Sequence, residues 1–165
     1  MTAMWEKLII LLNQTLELYQ TLLLLSQRKR DVLKEAKPQE LEVLTKQEEV
    51  LIIKAGKLET SRKTLMNELA AATGLPPNET TLKALIAHAD QETAAKLTDI
   101  SDKFAQLTGE LDELNILNAR LIQQSLDIIN YSINILSQSA VGPTYAPKGQ
   151  PPSATSSRSI LDTKA

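Results

Sequence analysis

The sequence predicts an all-α protein: an elongated antiparallel helical bundle or long helical hairpin with a disordered C-terminal tail. Three observations predict it. Leucine is the commonest residue while Val, Trp, Phe and Tyr are scarce, so good helix formers dominate and strand formers are few. Three long segments carry apolar residues at steps of three and four. Pro38, Gly74-Leu75-Pro76-Pro77 and Gly142-Pro143 fall between or after those segments, where helices must stop.

The first segment, about Thr2 to Ala36, has Thr2 as a candidate N-cap and carries Trp5, Ile9, Leu12, Leu16, Tyr19 and Leu23 on one face. Leu8, Leu11, Leu18, Leu22 and Leu25 form a second register beside it, so the helix has a broad apolar stripe and touches more than one neighbour. The second segment opens at Pro38, which suits a first helical position. It runs Leu41, Leu44, Glu48, Leu51, Ala55, Leu58, Arg62, Leu65, Leu69 and Ala72, a heptad pattern with two charged interruptions. Glu48 and Arg62 either pair with other helices or sit at a weakly buried seam, the commoner arrangement in antiparallel pairs. Gly74 supplies a left-handed C-cap and Pro76 prevents continuation.

The third segment starts from Asn78 as N-cap and carries Leu82, Ile86, Ala89, Thr93, Leu97, Ile100, Phe104, Leu107, Leu111 and Leu114. One helix from about Glu79 to Gln138 fits the pattern. A short helix followed by a long one, restarted at Asp90 and loosened at Gly109, fits equally. Unbroken, the run would extend about 90 Å and needs helical partners. Residues 1–139 are expected to form the helical domain. Residues 140–165, rich in Pro and Ser and with little to bury, are expected to form a flexible tail in which Tyr145 and Ile160-Leu161 suit a short linear motif.

The formal charge of −2 and a pI near 5.5 provide no basic field for nucleic acid. The absence of cysteine excludes disulfides, thiol nucleophiles and thiolate metal sites. Trp5–Leu25, the most apolar stretch, is interrupted by Asn13, Gln14, Glu17 and Gln20 and lacks the flanks of a secretory signal, so no membrane span is expected and a cytoplasmic location is the default. The sole histidine, His88, has Leu85 three residues before it, not the glutamate of a di-metal bundle, and reads as a solvent-edge helical residue. No Gly-rich phosphate loop occurs. No catalytic, cofactor-binding or metal-ligating residue is therefore assigned, and the protein is not expected to be an enzyme.

From Leu114 to Leu136 apolar residues occupy most faces of the helix. Such a helix is either enclosed in its own bundle or packs on one side and offers the other to a partner's amphipathic helix. Leu121, Ile122, Leu126, Ile129, Ile133 and Leu136 are the candidate partner-binding residues. Asn118, Ser125, Ser132 and Asn134 either fix register or face water.

The pattern Leu11 to Leu23, then Lys46-Gln47-Glu48-Glu49-Val50-Leu51, then Asn115-Ile116-Leu117-Asn118-Ala119-Arg120-Leu121-Ile122 occur in that order. Thr144-Tyr145-Ala146-Pro147-Lys148-Gly149 and Ser157 to Ala165 follow. In this order, size and tail the whole chain resembles the FlgN family of flagellar type III export chaperones. It departs from the family at Ala146, where a glycine often follows the tyrosine. The resemblance implies a bacterial cytoplasmic protein that binds the C-terminal helices of the hook–filament junction proteins FlgK and FlgL, shields them from premature association and delivers them to the export gate protein FlhA. It implies gate docking through Tyr145, the alternative being an ordinary tail residue. Two other readings compete: a coiled-coil protein that self-associates, with a homodimer open, and a membrane-surface helix using Leu22–Leu25 beside Arg28, Lys29 and Arg30.

Overall fold

The computed structural model describes residues 1–76 and 79–140. They form four helices in the order α1 (Thr2–Lys34), α2 (Pro38–Thr73), α3 (Leu82–Ile86) and α4 (Gln91–Ala140), with no strand among the described residues. The all-α expectation holds. Asn78 and the segment from residue 141 onward, Tyr145 and Ile160-Leu161 included, lie outside the described residues.

Each helix end has a local cause. Helix α1 starts one residue earlier than Thr2 predicts: the Met1 carbonyl accepts from the Met4 and Trp5 amides, and no side chain caps the end. Pro38 occupies the opening of α2 as expected, after Lys37, whose φ of −104° and ψ of 83° lie outside the helical region. The turn before it places Ala36 at φ 54°, a left-handed conformation usually left to glycine, and closes with the Lys37 amide donating to the Val32 carbonyl. Gly74 ends α2 at φ 76°, and the Leu75 amide donates to the Ala70 carbonyl at 2.9 Å. Leu75 then packs against the core, which fixes where the chain turns.

The third segment is two helices. Thr81 caps α3, its hydroxyl accepting from the Ala84 amide at 3.1 Å. Asp90 caps α4: Oδ1 accepts from the Thr93 amide at 2.9 Å and Oδ2 from the Thr93 hydroxyl at 2.8 Å. These bonds stabilise the ionised carboxyl and hold Asp90 below its ordinary pKa, the Thr93 amide contributing most. Gly109 does not break α4. His88 sits exposed in the turn between α3 and α4, not on a helix as the sequence suggests.

Two compact units divide the chain, Met1–Leu126 and Asp127–Ala165. In the first, the core joins Trp5, Leu8 and Leu12 of α1, Met66, Leu69 and Ala70 of α2, Leu85 of α3, and Leu97 and Ile100 of α4. The early turns of α1 thus meet the late turns of α2 and the early turns of α4, so α1 runs antiparallel to α2 and parallel to α4. Tyr19 against Phe104, with ring centroids 5.0 Å apart, continues the α1–α4 seam. Helix α1 buries Trp5, Leu8, Leu12, Leu16, Leu18 and Leu22, members of both apolar registers, so its broad stripe serves two neighbours. By length and composition alone α1 is apolar enough to cross a membrane, with a mean hydropathy of 1.5 over its best window. Its Trp5–Leu22 face is instead buried between helices.

Further along this seam lies a polar layer. Ser26 and Asn118 are 1% and 3% exposed, and the Asn118 amide nitrogen donates to the Ser26 carbonyl at 2.9 Å. The Ser26 hydroxyl lies 3.3 Å from Asn115 Oδ1 and 3.4 Å from Glu48 Oε1. Glu48 also pairs with Lys29. Glu48 therefore bridges to α1 and is not a residue of a weakly buried seam. Arg62 bonds within its own helix: Nε and Nη2 each reach Glu59 at 2.7 Å. That bond raises Arg62 and lowers Glu59 from their ordinary values.

Replacing Glu48 by Ala leaves Lys29, 16% exposed, without its carboxylate. The expected cost is about 2 kcal/mol, read as a lower denaturation midpoint at unchanged slope, with Glu48→Gln losing less. The Asp90 cap has a pH signature. Its folded-state pKa is depressed, so its contribution is complete above the ordinary aspartate range and is lost as pH falls through the depressed value. The difference in thermal midpoint between wild type and Asp90→Ala should shrink on going from about pH 7 to about pH 3.

Candidate partner-binding faces

Beyond Leu114, helix α4 stops burying its apolar side chains. In the first unit Leu121 is half-buried, while Ile116, Leu117, Ile122 and Leu126 are exposed. In the second unit Ile128, Ile129, Tyr131, Ile133, Ile135 and Leu136 are all exposed. Ile122, Leu126, Ile129, Ile133 and Leu136, predicted from sequence as partner-binding residues, are between 38% and 68% exposed. Enclosure of Leu114–Leu136 within the bundle is thus excluded for most of its length; only Leu114 and Asn118 are buried.

In the second unit Ile129, Ile133 and Leu136 recur at steps of four and three, so they form one stripe along the helix there; Leu121 is one residue from Ile122 and lies off that spacing. Ser125 and Ser132 donate to the Leu121 and Ile128 carbonyls, each at 2.9 Å, and so satisfy themselves locally without a neighbour. Asn118 takes the register-fixing alternative, since it is buried against α1. Its Oδ1 is buried with no hydrogen-bond partner among the described residues.

Sequence reasoning missed two grooves in the first unit. One, of about 580 Å³, lies between α1, α2 and α4, with Leu12, Tyr19, Ala55, Gly56, Ile100 and Phe104 on its walls and Glu59 and Arg62 beside them. Its cause is readable in α2, which buries no residue between Leu44 and Met66 and sets the small Ala55 and Gly56 where larger side chains would fill the space. The other, about 540 Å³, is bounded by Thr21 and Leu25 of α1 and Val43, Val50 and Leu51 of α2. Both are within the size range of ligand pockets; Thr15, Ser101 and the Glu59–Arg62 pair are among the lining of the first, while the second is almost wholly apolar. Among the described residues no cluster of three or more His, Asp or Glu side chains is placed to hold a metal ion. What the arrangement can do is present apolar helix faces to another helix.

Compared with family models, residues 1–153 match the FlgN protein family. The chain belongs to the FlgN family. Its membership makes it a flagellar export chaperone, a role that calls for helical surfaces able to hold export substrates. No curated protein and no solved structure matches the chain.

Proposed function

We propose that this FlgN-family protein is a cytoplasmic chaperone that binds the C-terminal helices of the hook–filament junction proteins FlgK and FlgL, prevents their premature association and hands them to the export gate protein FlhA. The observation that carries this reading is the exposed apolar surface of α4. Ile122 and Leu126 in the first unit, and Ile129, Ile133 and Leu136 in the second, leave apolar area in water that an amphipathic helix would remove. A free junction protein presents the complementary need, a helix whose apolar stripe is satisfied only after assembly. A chaperone of this kind needs no catalysis: it acts by mass action on the exposed helix. Tyr145 then serves delivery, an aromatic anchor on the segment after α4 that docks on the gate.

Calorimetric titration with the C-terminal helical segments of FlgK and FlgL tests the cargo site. Ile129→Glu with Ile133→Glu should weaken binding by about tenfold or more with unchanged helical content, because both residues are exposed before binding. Wild-type protein that binds neither segment, but forms concentration-dependent oligomers in sedimentation, would instead make it a self-associating coiled-coil protein. Tyr145→Ala should keep cargo affinity and lose affinity for the cytoplasmic part of FlhA; unchanged gate binding removes Tyr145 from the delivery step.

A further inference from the structure

The exposed surface of α4 in the second unit is wider than one partner helix covers. At 3.6 residues per turn, Ile129, Ile133 and Leu136 lie on one stripe and Ile128, Tyr131 and Ile135 on another, roughly 130° away. Together the six exposed side chains span roughly 200° of the circumference, against the roughly 100° that one neighbour takes. Ser132 lies between the stripes, and Asn130, Asn134 and Gln138 occupy the opposite side.

The chain itself contains a measure of what such a helix needs. The buried residues of α1, from Leu18 and Val32 at one edge to Trp5 and Leu16 at the other, also span roughly 200°, and α1 is packed between two helices, α2 and α4. The register supports the comparison. The heptad that buries Ile100, Leu107 and Leu114 continues in α4 as Leu121, Ile128 and Ile135. From Ile128 to Gln138 there is no Asp, Glu, Lys or Arg, so contacts on both stripes are made by uncharged side chains.

We infer that this stretch of α4 binds two helical segments of one cargo chain at once, one on each stripe, each presenting an uncharged Leu/Ile face. This rests on the cargo-binding reading above and specifies its partner: a helix that doubles back, or two successive helices, not a single helix laid along the predicted stripe. In the complex α4 would have the two-sided burial that α1 has in the free protein.

The test uses the full-length protein and the C-terminal segment of FlgK, with two paired variants, Ile129→Glu/Ile133→Glu on one stripe and Ile128→Glu/Tyr131→Glu on the other. Each pair should cost about tenfold or more in affinity with unchanged circular dichroism, and wild-type affinity should change little with ionic strength. A photo-crosslinking residue at Tyr131 and another at Ile133 should label two separate stretches of the FlgK segment. If Ile128→Glu/Tyr131→Glu binds as wild type while the other pair fails, or both crosslinkers label the same turn of cargo, one helix suffices: the inference falls and the cargo site stands. Crosslinking from Tyr131 into a second copy of this chain overturns it as well, assigning that stripe to self-association. Wild-type affinity in both pairs removes the α4 cargo site itself.

Discussion

Everything in the first unit depends on α1 being apolar around more than half of its circumference. A helix with one stripe buries it against one neighbour; α1 carries Trp5, Leu12 and Leu16 together with Leu8, Leu18 and Leu22, and cannot remove both registers from water without two. The short turn at Glu35–Lys37 brings α2 back along it, and the Gly74 turn with α3 returns the chain so that α4 lies beside it in parallel. Helix α3 contributes little length but plugs the core with the fully buried Leu85. The order of elements thus follows from the demand of a single helix for two partners.

That demand is met unevenly. The core at Trp5, Leu69 and Leu97 is wholly apolar, whereas the layer at Ser26 and Asn118 is polar and partly charged. Polar groups buried at this depth contribute little net stability when paired and are costly when misplaced. They therefore discriminate against a shifted register, because sliding α4 by one heptad along α1 would leave the Ser26 carbonyl without the Asn118 amide. Helix α2 is held mainly at Leu44 and at Met66–Ala70, which leaves the groove beside Ala55 and Gly56.

The exposed stretch of α4 has a different energetic position. An isolated helix of this length is marginal in water, and its own side-chain bonds, such as Ser132 to the Ile128 carbonyl, add little. Under the proposed function its stability and its partner's would be coupled: removing Ile129, Ile133 and Leu136 from water on binding would also support the helix that carries them. With no charged residue from Ile128 to Gln138, a contact at the proposed site would depend on area and shape, not on electrostatic steering.

The helical class, the stops at Pro38 and Gly74 and the two registers of α1 were legible because each depends on spacing within one segment or on the backbone limits of one residue. The choice between one and two helices after residue 79 was not, because Asp90 is a good cap only if the chain before it turns away, and Leu85 decides that by filling the core. Glu48 read as an interruption, since its partners Lys29 and Ser26 lie on another helix. Leu114 to Leu136 displayed apolar residues on most faces, and sequence alone left enclosure and exposure equally open. The sequence by itself determined which side chains are apolar and that helices stop at Pro38 and Gly74. Only the tertiary structure decided which of those side chains find cover, because burial depends on the neighbours that α1 recruits, and periodicity within a helix contains no information about its neighbours.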